Sequence, residues 1–175
     1  DEAKTVAAEF AQRKGFHLDR GARAIPGKEA MKTIAYELAE QLALEFDYKR
    51  GRWVAPHWYI QAVSGGIGPL GVWKGFEELL RMDLIDKMPK LGIIQAAGCA
   101  PMVEAHQRGD ATAAPVIPQT LIHVLATGDP GFSYVMLDKA VRSNGGVMLA
   151  IEDGETFVAM RRIASSAGLS VEPAT

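Results

Sequence analysis

The sequence contains a single cysteine, Cys99, among its 175 residues, so the chain cannot form an internal disulfide. This scarcity excludes the small disulfide-stapled folds and is typical of proteins from a reducing compartment. We therefore expect a cytoplasmic protein. Hydrophobic residues make up 48% of the chain and charged residues 23%, a balance typical of a globular domain and unlike that of a disordered segment.

An excess of charge of one sign is also lacking. The chain has 19 Lys and Arg against 21 Asp and Glu, a formal net charge of −2, which leaves no global basic field to hold a nucleic-acid backbone. No apolar run reaches the roughly 18 residues of a membrane span, and the start of the chain lacks the apolar core of a signal peptide. We expect neither a nucleic-acid partner nor a membrane-bound protein.

Metal-ligand spacing is missing too. The histidines are His17, His57, His106 and His123. No two of them lie at a spacing that suits zinc, so we predict no metal site.

Apolar patterning predicts helices that alternate with short strands. The predicted helices are residues 2–15, 28–46, 72–80, 100–107, 134–142 and 153–167. The predicted strands are residues 16–18, 58–63, 91–96 and 147–151, and the apolar segment 121–125 occupies a similar position. Because a helix follows each short strand, we predict a three-layer αβα fold, an α/β class with a mainly parallel, doubly wound sheet.

The helical periodicities also predict which faces are buried. In the first helix, Val6 and Phe10 share a face with small residues. In the second, the predicted buried face consists of Met31, Ile34, Ala35, Leu38, Leu42 and Phe46. Asp153 is the predicted N-cap of the last helix, and Gly15 and Gly168 are predicted helix ends.

A glycine-rich loop joins a buried strand to a helix in the sequence Ser64-Gly65-Gly66-Ile67-Gly68-Pro69. Backbone amides in such a loop can turn toward an anion with no side chain in the way, which predicts a phosphate-binding cradle. The glycine spacing is not that of the dinucleotide fingerprint, and no Gly-Lys-Ser/Thr follows as in a Walker loop. The alternative is a tight turn that needs glycine only for packing.

Other segments follow predicted strands and are expected to face the same cleft, because ligands in open α/β sheets bind at the carboxyl ends of strands. These segments are residues 95–101, 127–130 and 172–174.

Together these residues resemble the pyridoxal-phosphate enzymes of fold type II, and within them the threonine synthases. The matching stretches, in the family's order, are residues 31–38, 63–68, 71–79, 95–101, 127–130 and 172–174. The ordered set covers nearly the whole chain.

The resemblance implies pyridoxal 5′-phosphate as the cofactor and a role for each matching residue. Backbone N–H groups would bind the cofactor phosphate at Ser64, Gly65, Gly66, Ile67 and Gly68, assisted by the positive end of the following helix. In this scheme, a carboxylate introduced at Gly66 would face the phosphate. Gly128 would lie against the cofactor ring and Glu172 near the ring or substrate.

The resemblance further implies a homodimeric lyase that acts on a small phosphorylated amino acid and converts O-phosphohomoserine to threonine and phosphate. Close alternatives are a cysteate synthase or another type II enzyme such as a serine or threonine dehydratase. A non-catalytic phosphate-ligand-binding domain is an alternative of a different class.

The sequence departs from the family in one important respect. It has no Ser-Phe-Lys-Asp-Arg-like motif to supply the Schiff-base lysine, so the catalytic lysine is not identified. We expect residues 1–175 to form part of the cofactor-binding large domain, without the lysine-bearing N-terminal region and the C-terminal segment. Lys32 and Lys74 lie in helical patterns and are expected to face solvent. Cys99 is expected to pack as a small hydrophobe.

Overall fold

The computed structural model describes residues 2–18, 21, 24–46 and 52–175. Its helices are α1 (Glu2–Lys14), α2 (Ile25–Glu45), α3 (Ile67–Arg81), α4 (Pro101–Arg108), α5 (Phe132–Ser143) and α6 (Asp153–Ala167). Its strands are β1 (Trp58–Ala62), β2 (Lys90–Ala96) and β3 (Val147–Ile151). Short 3-10 helices lie at Ala97–Cys99 and His123–Leu125.

The strands form a parallel sheet in the order β1-β2-β3. Ile60 of β1 lies beside Gly92 of β2, which in turn lies beside Val147 of β3. Helix α3 connects β1 to β2, and helices α4 and α5 connect β2 to β3. The predicted α/β class with a parallel sheet is therefore confirmed.

The predicted strand at residues 16–18 does not form, and the apolar segment 121–125 is not a strand either. Residues 16–18 continue from the end of α1, where the Phe16 ring packs on Phe10 with 6.1 Å between centroids, and Phe16 is 63% exposed. Within residues 121–125, Ile122 and Leu125 are buried while Leu121 is exposed, and the segment turns into a 3-10 helix. A strand requires a hydrogen-bonding neighbour, which local apolar content alone cannot supply.

Helices bury one face of the sheet more completely than the other. On one face, Leu91, Ile93 and Met148 are at most 3% exposed beneath the helices that follow β1 and β2. On the other, Ile60 is 66% and Leu149 is 47% exposed. Helix α6 lies along this second face and lines a cavity of about 420 Å³ with the strands, but none of its residues is buried. Among the described residues, the second helical layer is therefore thin.

The predicted helix faces are only partly correct. In α1, Ala11 is buried but Val6 and Phe10 are 57% and 47% exposed. In α2 the buried residues are Ala35, Ala39 and Ala43, whereas Phe46, predicted to be buried, is 64% exposed. The larger predicted residues, Met31, Ile34, Leu38 and Leu42, are half-buried. The reason is that α2 contacts its neighbour through small side chains.

This close contact is between α2 and α3. A Cβ atom added at Gly71 would lie 2.4 Å from Met31 Cβ, and one at Gly75 would lie 2.7 Å from Ala35 Cβ and 2.9 Å from the Lys32 carbonyl oxygen. The two helices therefore approach each other along a seam of glycine and alanine. Val72 and Phe76 of α3 are fully buried in the cluster that forms around this seam.

The predicted helix ends are confirmed at Gly15 and Gly168, both of which have positive φ. The predicted N-cap of α6 is wrong by one residue. Glu152 is the N-cap and forms a reciprocal capping box with Glu155. Asp153 instead accepts hydrogen bonds from the Thr120 hydroxyl at 2.7 Å and from the Leu121 N–H at 2.6 Å. Its carboxylate therefore joins α6 to a distant loop.

The seam generates a prediction for Gly75→Ala. Although alanine favours a helix, the added methyl must displace backbone, so we expect a net loss of about 1–2 kcal/mol in the free energy of unfolding. The matched control is Gly154→Ala in α6, where a Cβ meets nothing within 4 Å. We expect the control to gain up to about 1 kcal/mol. Urea unfolding measures both, and equal effects of the two variants would contradict the close seam.

The open sheet face generates a second prediction. An apolar face of this kind binds hydrophobic dyes and promotes self-association, so we expect dye fluorescence and a mass that rises with protein concentration. Ile60→Thr should lower both. The control is Ile117→Thr, which changes an 85% exposed loop residue. A monodisperse monomer without dye binding would contradict the prediction.

Candidate functional site

The glycine-rich loop lies between the end of β1 and the start of α3. The Val63 N–H donates to the Ile94 carbonyl at 2.8 Å, which holds the loop's first residue against β2. Gly66 is the N-cap of α3 and has a left-handed backbone with φ of 77°. No side chain caps this helix end. Because the first N–H groups of a helix lack intrahelical partners, this end can offer them to an anion.

The glycines of the loop face different surroundings. A Cβ at Gly66 would meet Leu137 Cδ2 and Met102 Cε, each at 3.2 Å, and one at Gly68 would lie 2.7 Å from the Gln61 amide nitrogen. A Cβ at Gly65 meets nothing within 4 Å. Gly65 is thus the glycine of this loop that is open to space. The expectation that a carboxylate at Gly66 would face a phosphate is wrong, because a side chain there points into the core.

The loop opens onto a cavity of about 870 Å³, a size that suits a small molecule. Gly65 and Ile67 line one side together with residues 129, 130 and 133, and α1 lines the other with residues that include Ala8, Glu9 and Gln12. Of the residues that the structure describes around this cavity, none is Lys, Arg or His. Backbone N–H groups at the helix N-terminus can supply positive potential to a bound phosphate.

A second loop, residues 126–130, lies beside the glycine-rich loop. The Ser64 and Thr127 hydroxyls are hydrogen-bonded to each other. The carbonyl of Gly128 accepts a 3.0 Å hydrogen bond from the Val116 N–H, and a Cβ at Gly128 would lie 2.1 Å from the Val116 carbonyl oxygen. Backbone packing against Val116 thus accounts for the glycine at position 128. Its contact with a cofactor ring stays a prediction.

The residues on either side of Glu172 line a different cavity from the one at the glycine-rich loop. Its neighbours Val171, Pro173 and Ala174 line the smaller cavity between α6 and the sheet, whereas the loop lines the larger one. Glu172 itself is exposed, and its carbonyl accepts a 3.1 Å hydrogen bond from the Thr175 N–H. The structure therefore brings Ser64, Gly65, Gly66, Ile67, Gly68 and Gly128 together but does not place Glu172 with them. A role for Glu172 stays a prediction.

Gln95, near the end of β2, holds the helix start that packs against the glycine-rich loop. The sequence did not reveal this role. Its side chain is fully buried, and its Oε1 accepts hydrogen bonds from the N–H groups of Met102 at 2.9 Å and Val103 at 3.2 Å. Gln95 thereby fixes the start of α4, and Met102 in turn packs beneath Gly66. The only sequence indication was an amide side chain at the end of a buried strand.

The two lysines considered from the sequence lie in an ion-pair network beside the α2–α3 seam. Lys32 Nζ contacts Glu78 at 2.9 Å and Glu29 at 2.6 Å, and Lys74 pairs with Glu29. The Lys32 side chain is only 15% exposed, so the expectation that it faces solvent is wrong. Hydrogen bonds to both lysines lower the pKa of Glu29 to about 2, and those with the two carboxylates raise the pKa of Lys32.

Cys99 does not belong to the described lining of the cavity at the glycine-rich loop. Cys99 is 1% exposed, and burial raises the pKa of its thiol, which confirms its packing role. Among the described residues, no group of three or more His, Cys, Asp or Glu side chains could hold a metal ion. No helix within the described part of the chain has the length and apolarity to cross a membrane.

Comparison with known proteins decides the family. The sequence profile described as "Pyridoxal-phosphate dependent enzyme" matches residues 1–175. The chain belongs to this family. The predicted family and cofactor, pyridoxal phosphate, are thus confirmed.

Curated relatives include threonine synthases. That of Methanocaldococcus jannaschii is 34% identical over 148 residues, which cover 84% of this chain and 34% of that protein. That of Methanosarcina acetivorans is 31% identical over the same length, again with 34% of that protein covered. The chain therefore spans about a third of the length of these relatives.

Solved structures confirm the fold. Maize serine racemase superposes with a TM-score of 0.74 at 15% identity, covering 98% of this chain and 47% of that one. The processed form of threonine deaminase isoform 2 from Solanum lycopersicum gives a TM-score of 0.69 at 13% identity, covering 97% and 43%. At these identities the likeness concerns the fold alone.

The geometry of the loop predicts different outcomes at its two central glycines. Gly65→Asp places a carboxylate in the cavity, so we expect at least a tenfold weaker affinity for pyridoxal phosphate with little change in the unfolding temperature. Gly66→Asp pushes a side chain toward Leu137 and Met102, so we expect a lower unfolding temperature. Absorbance titration and thermal unfolding measure the two effects. Unchanged affinity in Gly65→Asp would remove the loop from the cofactor site.

Proposed function

We propose that this chain is the phosphate-binding portion of a pyridoxal-phosphate-dependent lyase of the threonine synthase type. The observation that carries the proposal is the uncapped N-terminus of α3, where Gly65 opens onto a cavity of about 870 Å³. This arrangement suits a dianionic phosphate, because several N–H groups can point at its oxygens while no side chain fills the space.

The residues present fit the cofactor in its phosphate-binding part. Backbone N–H groups of residues 64–68 would hold the phosphate, and Gly65 and Ile67 already line the cavity. When bound, the cofactor supplies an electron sink for carbanion chemistry at the amino-acid carbon. The protein's share in this chain is to bind and orient the phosphate, with α1 limiting access of water from the opposite wall.

For the complete reaction we propose a phosphorylated amino acid as the substrate, with O-phosphohomoserine converted to threonine and phosphate. The threonine synthase names of relatives at 31–34% identity support this choice over a cysteate synthase or a dehydratase. We further propose a cytoplasmic homodimer that binds neither nucleic acid nor a membrane.

The proton-transferring lysine is not assigned to Lys32 or Lys74. Both amines are engaged by carboxylates beside the α2–α3 seam, and neither residue lines the cavity at the glycine-rich loop. Hydrogen bonds to Glu29 and Glu78 hold Lys32 in its charged form by raising its pKa. A protonated amine is not the nucleophile that carbonyl chemistry requires, so Lys32 supports the fold.

The test is a titration of the chain with pyridoxal phosphate, followed by visible absorbance, borohydride reduction and peptide mass mapping. We expect saturable binding that inorganic phosphate competes away, that dialysis reverses and that leaves no single modified lysine. Pyridoxal, which lacks the phosphate, serves as the ligand control and should bind at least tenfold more weakly.

Two outcomes would contradict the proposal in different ways. Binding that phosphate does not compete with would remove the glycine-rich loop from the site. A stoichiometric adduct on one lysine would place the chemistry within this chain and make that lysine its centre.

A further inference from the structure

We propose that the hydrogen bond between Ser64 and Thr127 positions the glycine-rich loop for phosphate, so that Thr127 is a positioning residue for cofactor binding. This inference rests on the proposed function and deepens it. It assigns Thr127 no contact with the ligand, because Thr127 does not line the cavity at Gly65.

The first step of the argument is the place of the bond in the fold. Ser64 follows β1, whereas Thr127 lies 63 residues further along the chain, in the loop before α5. Both side chains are half-buried. The bond therefore joins two loops that no other hydrogen bond connects within the described part of the chain, and it lies one residue from Gly65.

The second step is that Thr127 is itself held in place. Its N–H donates to the Leu125 carbonyl at 3.0 Å, and Leu125 is buried. The next residue, Gly128, is packed against Val116 and bonded to it. Thr127 thus presents its hydroxyl from a segment that is fixed on both sides, as an anchor requires.

The glycine-rich loop is fixed on both sides of Gly65 but not at Gly65 itself. Val63 is held by its hydrogen bond to β2, and Gly66 lies over Leu137 and Met102. Between them, Gly65 has no side chain to fix it and nothing within 4 Å of a Cβ position. The Ser64 hydroxyl bond is therefore the side-chain contact that restrains the backbone next to Gly65.

Such restraint matters for affinity. A loop that already holds its N–H groups in the bound orientation loses less conformational entropy when the ligand arrives. If one hydroxyl is removed, the other loses its partner in a half-buried position and the loop gains freedom. The loss should weaken contacts to phosphate and leave contacts to the pyridine ring nearly unchanged.

The experiment measures binding of pyridoxine 5′-phosphate, pyridoxine and inorganic phosphate to the 175-residue chain by calorimetry. These ligands have no aldehyde, so surface lysines do not react with them. Thr127→Val keeps the β-branched shape and removes the hydroxyl, whereas Thr127→Ser keeps the hydroxyl. Thr33→Val is the matched control, since Thr33 is an exposed residue of α2 whose hydroxyl donates to the Ala30 carbonyl of its own helix.

We expect Thr127→Val to weaken both phosphate-bearing ligands by about 5- to 30-fold, as loss of a hydrogen-bond partner near the site implies. Pyridoxine affinity should change less than about twofold. Thr127→Ser should restore phosphate affinity to within about threefold of the wild type, and Thr33→Val should have no effect. Ser64→Ala removes the bond from the other side, and its effect should not add to that of Thr127→Val.

The experiment distinguishes failure of the positioning role from failure of the proposed function. If the wild type binds pyridoxine 5′-phosphate but Thr127→Val binds it equally well, the positioning role is wrong while the proposed function stands. If Thr127→Val weakens pyridoxine as much as its phosphate, or if Thr127→Ser fails to restore binding, the effect is general structural damage and the inference is overturned. If the wild type binds none of the three ligands, the proposed function fails and the positioning role fails with it. Should Thr127→Val not fold, Ser64→Ala alone decides by the same comparison.

Discussion

The close contact between α2 and α3 is the constraint on which the rest of the structure depends. Gly71 and Gly75 let the backbone of α3 approach α2 so closely that any side chain would displace it. The contact fixes the axis of α3, and the direction of that axis decides where its N-terminal N–H groups point. A pair of glycines one and two turns into the helix thereby controls the geometry of a loop that they do not touch.

The cradle is also continuous with the hydrophobic core. Gly66 lies on Leu137 and Met102, both fully buried, and Met102 is placed by the hydrogen bond that its N–H donates to Gln95. The Nε2 atom of Gln95 has no partner among the described residues, yet its Oε1 satisfies two donors at the start of α4. A buried polar side chain thus accepts N–H groups at the start of α4 that have no partner within that helix.

Sequence reasoning succeeded where local chemistry decides the structure. The glycine-rich loop, the strands at β1, β2 and β3 and the helices that follow them were predicted, because each rests on contiguous periodicity or on glycine placement. It failed at residues 16–18, where a strand depends on a neighbour that the local pattern does not specify. It also failed at Gly66, because the direction of a missing Cβ depends on a left-handed backbone that only the fold reveals. Asp153 was misjudged because its partners, Thr120 and Leu121, are distant in sequence.

The charge around the cavity explains why loop geometry matters so much for this site. Glu9 and Asp129 are among its described lining residues, and no described lining residue carries a positive charge. Oriented N–H dipoles at the start of α3 can attract a phosphate dianion in this cavity, and their effect falls off within the first turn of a helix. A lysine or arginine could tolerate a shift of the loop because a point charge acts over a longer distance. Dipoles act at short range and do not tolerate such a shift. Contacts that keep the loop in one position therefore contribute to affinity without touching the ligand.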